Sequence, residues 1–134
     1  MLRDERQIAL NEAVEASLHA AHVHEHGADL LGADLLGLRE LAAQRRRDAD
    51  VLAQHVREFG DLPMEPDPEY EVATDIVSQI KAALAEDQRP LVIERSNEAE
   101  EALAAALREA LRHDLPADAR RDLERILTSQ ARFA

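Results

Sequence analysis

The feature that most constrains this chain is a series of apolar seams that step by four and three residues, each bounded by glycine or proline. That spacing lays one apolar stripe along a helix and does not fit the two-residue period of a strand. The first seam reads Val14, Leu18, Ala21, Glu25 and Ala28, in a helix expected from about Arg6 to about Gly27. Asp4 stands as its N-cap, and Gln7 three residues later closes a capping box. The second seam reads Leu38, Ala42, Arg45, Ala49, Leu52, Val56 and Phe59, in a helix over about Leu35 to Phe59. Gly60 follows as a C-cap, with Pro63 shortly beyond the stop.

Between these helices the sequence runs Gly27-Ala28-Asp29-Leu30-Leu31, then Gly32-Ala33-Asp34-Leu35-Leu36, closed by Gly37. The simplest reading is a turn in which Asp34 caps the next helix. A continuous helix through both glycines is the alternative. After a proline-rich loop, a shorter helix is expected from about Glu69 to Ala85, with Val72, Ile76, Ile80 and Leu84 on one face. Pro90 suits the first turn of a third long helix, about Arg89 to His113, with the seam Ile93, Ser96 or Asn97, Glu100, Leu103, Leu107 and Leu111. Pro116 marks a last helix over Ala117 to Phe133, with Ala119, Leu123, Ile126, Gln130 and Phe133 on its seam.

Connection lengths then set the topology. Short turns make the first two and the last two long helices antiparallel hairpins, joined by a crossover that carries the extra helix. Two helical hairpins linked by one long crossover is the ferritin-like arrangement. The expected fold is therefore an all-α, ferritin-like four-helix bundle with a short helix in the crossover. The 134 residues suit one domain, 1–134. Aromatic residues are only 2% of the chain, which speaks against a sandwich or barrel.

Charge narrows the function classes. The formal net charge is −12, from 28 acidic and 16 basic residues, so polyanions such as DNA or RNA are repelled. Arg45-Arg46-Arg47 does not reverse this, because Asp48 and Asp50 follow. Without cysteine there are no disulfides, thiolate metal sites or thiol nucleophiles. No stretch approaches the ~18 apolar residues of a membrane span. The charged start, Met1 to Arg6, does not read as a secretory signal, so a cytoplasmic location is expected.

The polar interruptions of the seams are the candidate site. Ferritin-like carboxylate centres take Glu from two helices and Glu-x-x-His from the other two. Folding each hairpin at its turn places Glu100 beside Gln130, and Arg45 opposite the stretch Glu15 to His19. The layer would hold Glu15, His19 or His22, Arg45, Asp48, Glu100 and Gln130. Arg45-x-x-Asp48 and Gln130-x-x-Phe133 occupy the Glu-x-x-His slots, and arginine stays protonated and is no ordinary metal ligand. Three readings follow. Arg45 and Glu100 lay their stems over the seam with heads in water, or they form a buried ion pair in place of metal charge, or Glu15, His19, His22, Asp48 and Glu100 still bind metal. His22 and His26, four apart, are also spaced for Zn²⁺ or Ni²⁺, although exposed polar filler is the plainer reading. The serines lack a nucleophile elbow and the glycines form no phosphate loop.

Several segments resemble a family of small bacterial ferritin-like proteins of unknown function. They are Leu10-Asn11-Glu12, Leu41 to Leu52 followed by Glu58-Phe59-Gly60-Asp61-Leu62-Pro63, Lys81-Ala82-Ala83-Leu84, Ile93 to Leu103, and Leu115-Pro116. The resemblance implies the same bundle with a crossover helix and loosely suggests a stress-related accessory role. It supplies no reaction. The absence of Glu-x-x-His from the second and fourth long helices counts against iron oxidation or storage. The expectation is a non-enzymatic bundle with a degenerate di-metal site and no cofactor, acting through a protein partner or as a homodimer. The alternative is a protein that binds iron, manganese or zinc. Leu30, Leu31, Leu35 and Leu36 crowd one turn and point to the dimer contact.

Overall fold

A computed structural model describes residues 4–32, 36–65, 68–84, 87–130 and 132–133, without the side chains at 70, 73, 74, 78 and 82–84. Its helices are α1 (Glu5–Leu31), α2 (Leu38–Glu58), α3 (Pro68–Leu84), α4 (Arg89–Leu111) and α5 (Ala117–Thr128). Among the described residues there is no strand, and no helix is long and apolar enough to cross a membrane.

α1 is the central post, about 40 Å long by its 27 residues. It packs against α2 and α4, and α5 closes the bundle against those two. Cross-contacts give the directions. Gln7 reaches Phe59 and Ser17 reaches Arg45, so α1 and α2 are antiparallel. Arg6 reaches Asp114 while His24 meets Glu100, so α1 and α4 are antiparallel too. α2 and α4 therefore run the same way, and the crossover must climb the bundle. α3 does so beside α1, the one helix it packs against closely among the described residues.

The ends of the helices follow local chemistry. Asp4 accepts from the Arg6 N–H at 2.7 Å, and the Asp4 N–H donates to Gln7 Oε1 at 2.8 Å, as a capping box requires. α2 ends in a Schellman motif: Asp61 N–H donates to Val56 O at 3.1 Å, Gly60 N–H to Arg57 O at 2.9 Å, and Gly60 takes φ +78°. Buried Asn11 then fixes the loop beyond. Its amide donates to Asp61 Oδ2 and Leu62 O and accepts from the Met64 N–H.

Four boundaries differ from the sequence reading; α2, for one, starts at Leu38 rather than near Leu35. α1 does not stop near Gly27 but continues to Leu31, where Gly32 at φ +68° caps it. Gly27 is a point of close approach: a Cβ there would lie 2.8 Å from Val92 Cγ1 and 3.3 Å from Leu38 Cδ1. α4 ends at Leu111, two residues short of His113, and α5 ends at Thr128 rather than Phe133, so Gln130 and Phe133 approach α4 from non-helical chain. The proposed Asp34 cap, Leu35 and the Leu84 side chain lie outside the described residues.

The core comes in blocks along the bundle axis. A large one joins Leu10, Val14, Leu52, Val56, Leu103, Leu107, Leu123 and Ile126. At the far end Ala28, Leu38 and Val92 form a smaller block, half-covered by Leu30, Leu31, Leu36 and Phe133. Leu30, Leu31 and Leu36 are thus partly covered from within the chain. Val14, Ala21 and Ala28 of the α1 seam are buried as read, but its two alternate positions move by one residue. Ser17 and His24 are buried, whereas Leu18 is half-buried and Glu25 pairs with Arg46 at the surface.

Gly27→Ala is expected to lower stability by about 1–3 kcal/mol despite alanine's better helix propensity, because Val92 is too short and stiff to move aside. Urea denaturation checks this, and adding Val92→Ala should restore most of the loss.

Candidate functional site

Between the core blocks lies a layer of polar side chains drawn from four segments. Arg45 on α2 is the largest fully buried side chain of the described residues. Its Nε donates to Glu100 Oε2 at 2.9 Å and its Nη2 donates to Glu100 Oε1, a two-pronged match of guanidinium to carboxylate. Nη1 donates to Asp48 Oδ2 at 2.8 Å and to Ser129 Oγ at 3.3 Å. Four hydrogen bonds thus use most of the guanidinium's five N–H groups.

The surrounding groups hold this pair in place. Gln44 Nε2 donates to Asp48 Oδ1 at 2.9 Å. His24 Nε2 lies 3.2 Å from Glu100 Oε2. A carboxylate oxygen only accepts, so that imidazole nitrogen carries the proton. Ser17 Oγ donates to the Arg45 carbonyl at 2.7 Å, and Gln130 Nε2 donates to the Glu100 carbonyl at 2.6 Å. Burial opposes the charge on Glu100. Hydrogen bonds from His24 and Arg45, together with the guanidinium charge, outweigh it and lower the carboxyl from 4.5 to about 2. Burial likewise works against Arg45, but Glu100 and Asp48 more than offset it and raise its pKa.

The sequence-derived candidates therefore divide. Arg45, Asp48 and Glu100 meet in the layer, and Gln130 braces its edge. His19 and His22 do not join them. They lie on the face of α1 turned to α3, where His19 Nδ1 is 3.0 Å from Glu71 Oε1 and His22 Nε2 is 2.9 Å from Asp75 Oδ1. His22 Nε2 is also 3.3 Å from Glu71 Oε2, and His26 Nδ1 is 3.7 Å from Asp75 Oδ1. The result is an alternating row, His19, Glu71, His22, Asp75, His26. It fastens α3 to α1 by its polar face and leaves Val72, Ile76, Val77 and Ile80 more than half exposed. Glu15 is half-buried on α1, away from these hydrogen bonds of either group among the described residues.

His24, Ser17, Gln44 and Ser129 are the layer members that the seam reading missed. Helical spacing could have found the first. Positions 19, 22 and 26 share one face, whereas 24 points the opposite way, toward the core. A second small cluster joins the end of α2 to the start of α5, where His55 Nε2 is 2.7 Å from Asp122 Oδ2.

Compared with known proteins, the chain matches no family model, no curated protein and no solved structure.

Because its folded pKa is depressed, Glu100 contributes stability that is present above the ordinary carboxyl range and lost as pH falls toward about 2. The size is roughly 3 kcal/mol by the conversion of 1.36 kcal/mol per unit. Wild type should therefore be more stable than Glu100→Gln at neutral pH, and the gap should close as pH drops from about 5 to about 2. Urea midpoints across that range check it; a constant gap would contradict the assignment.

Proposed function

We propose that this chain is a ferritin-like four-helix bundle whose metal centre has been replaced by an internal ion-pair layer, and that it works by association rather than catalysis. The bundle directions support this, since one long crossover links two hairpins whose middle helices run parallel. So does the resemblance of its helices to small bacterial ferritin-like proteins. The donor set does not fit a di-metal centre. Both Glu100 oxygens and one Asp48 oxygen accept from the Arg45 guanidinium, which occupies the layer as a fixed cation. The alternative ligand set for iron, manganese or zinc is split, because His19 and His22 face α3.

The observation that carries the association reading is the outward stripe of α3. Val72, Ile76, Val77 and Ile80 are 58, 51, 51 and 57% exposed. Contiguous apolar surface of this kind marks an interaction face. The stripe is self-complementary. An antiparallel copy centred on Ile76 sets Val72 against Ile80 and brings Lys81 toward the acidic start of the partner helix. Four side chains fall short of the roughly 800 Å² per partner of a stable interface, so the homodimer is weak and concentration-dependent. Light scattering over a hundredfold concentration range should show mass rising toward twice the monomer. Ile76→Asp should hold the chain monomeric with an unchanged helical spectrum. A wild type that stays monomeric throughout would sink this reading.

A further inference from the structure

The second cluster, at the junction of α2 and α5, shares no residue with the ion-pair layer or the α3 stripe, although Arg125 stands between it and the layer, 3.9 Å from Asp122 Oδ1 and 3.8 Å from Asp48 Oδ1. His55 lies ten residues beyond Arg45 on α2, about 15 Å farther along the axis. Its ring is buried, at 7% side-chain exposure. Asp122 Oδ2 lies 2.7 Å from Nε2 and takes the ring N–H, which leaves Nδ1 of a neutral ring with its lone pair. On that side stands Glu58 Oε2, 3.4 Å from Nδ1. Asp118 completes the set. His55, Glu58 and Asp118 each offer a ligand atom within 4.8 Å of the others, the one group of this kind among the described residues.

With Ala119 N–H on Asp118 Oδ1 at 3.0 Å and Gln54 Nε2 at 3.5 Å from Glu58 Oε1, the Nδ1 lone pair and the remaining carboxylate oxygens still form an acceptor-rich group. It calls for a positive charge at its centre, either a proton on Nδ1 or a metal ion. We propose that His55, Glu58 and Asp118 bind a single borderline divalent cation of the Zn²⁺ class, with Asp122 as the positioning residue. One imidazole nitrogen and two carboxylate oxygens suit such an ion, whose bonds to these atoms are about 2.0–2.2 Å. A carboxylate on the far ring nitrogen is the usual partner of a metal-bound histidine, because it fixes the tautomer and raises ligand basicity. Glu58 is 51% exposed and Asp118 is also exposed, so both can swing inward to shorten the spacing, and water takes the remaining position. The ion would staple the last turn of α2 to the first turn of α5. This site is distinct from the layer: it takes one ion rather than two and shares no ligand with Arg45, Asp48 and Glu100.

The test is titration calorimetry of the full, untagged chain with Zn²⁺ alone, with metal content after dialysis as the count. One equivalent is expected. Glu58→Gln and Asp118→Asn, both at the surface and harmless to folding, should each weaken binding at least about tenfold, and His55→Gln should abolish it. Asp122→Asn should also weaken it about tenfold, with recovery in Asp122→Glu. His22→Gln should change nothing. No bound equivalent in the wild type, full affinity in Glu58→Gln and Asp118→Asn, or loss of binding in His22→Gln would each overturn the assignment.

Discussion

A guanidinium at the middle of a small helical bundle constrains everything around it. Arg45 is shielded from water, and stripping the hydration from a charge is expensive unless partners replace it in full. Those partners come from different places: Glu100 from α4, Asp48 from α2 itself and Ser129 from just beyond α5, while α1 supplies His24 to Glu100 and Ser17 to the Arg45 carbonyl. Bonds shared in this way tie the register and rotation of α1, α2, α4 and α5 to one another.

That constraint counts for more here because the rest of the core specifies little. Much of it is alanine, including Ala13, Ala20, Ala21, Ala42 and Ala110, each at 0% exposure. Alanine lets helices approach closely, as at Gly27 against Val92, but it interdigitates weakly, and small smooth faces slide. The leucine-rich block beneath the layer supplies burial. Directed hydrogen bonds above it supply the alignment. α3 stands outside this division, held to α1 by imidazole–carboxylate contacts with its apolar side left to solvent.

Most of the scaffold was legible in the sequence because its signals are local. Asp4 with Gln7, Gly60 before Pro63, and Pro90 and Pro116 each mark a helix end through backbone chemistry that tertiary packing does not alter. Gly27 was misread because a glycine can serve a neighbouring side chain as well as a turn, and Val92 is remote in sequence. The last helix was drawn too long for a related reason. Gln130 and Phe133 keep helical spacing but reach α4 from non-helical chain, where Phe133 N–H donates to Asn97 Oδ1. In the candidate site, folding the hairpins at their turns placed Arg45 and Glu100 on seams of neighbouring helices. It did not separate the histidines of α1. His19, His22 and His26 find Glu71 and Asp75 on a helix whose docking no periodicity specifies, whereas His24 sits one step from the seam as first drawn.

The account rests on Arg45 and Glu100 acting as one unit, and a double-mutant cycle between them measures that directly. Arg45→Met and Glu100→Leu should each cost about 3–5 kcal/mol, since each strands the other's charge in the core. The double variant should recover most of that loss, giving a large coupling energy in urea denaturation. Losses that simply add would mean that the two side chains do not hold the bundle together through each other.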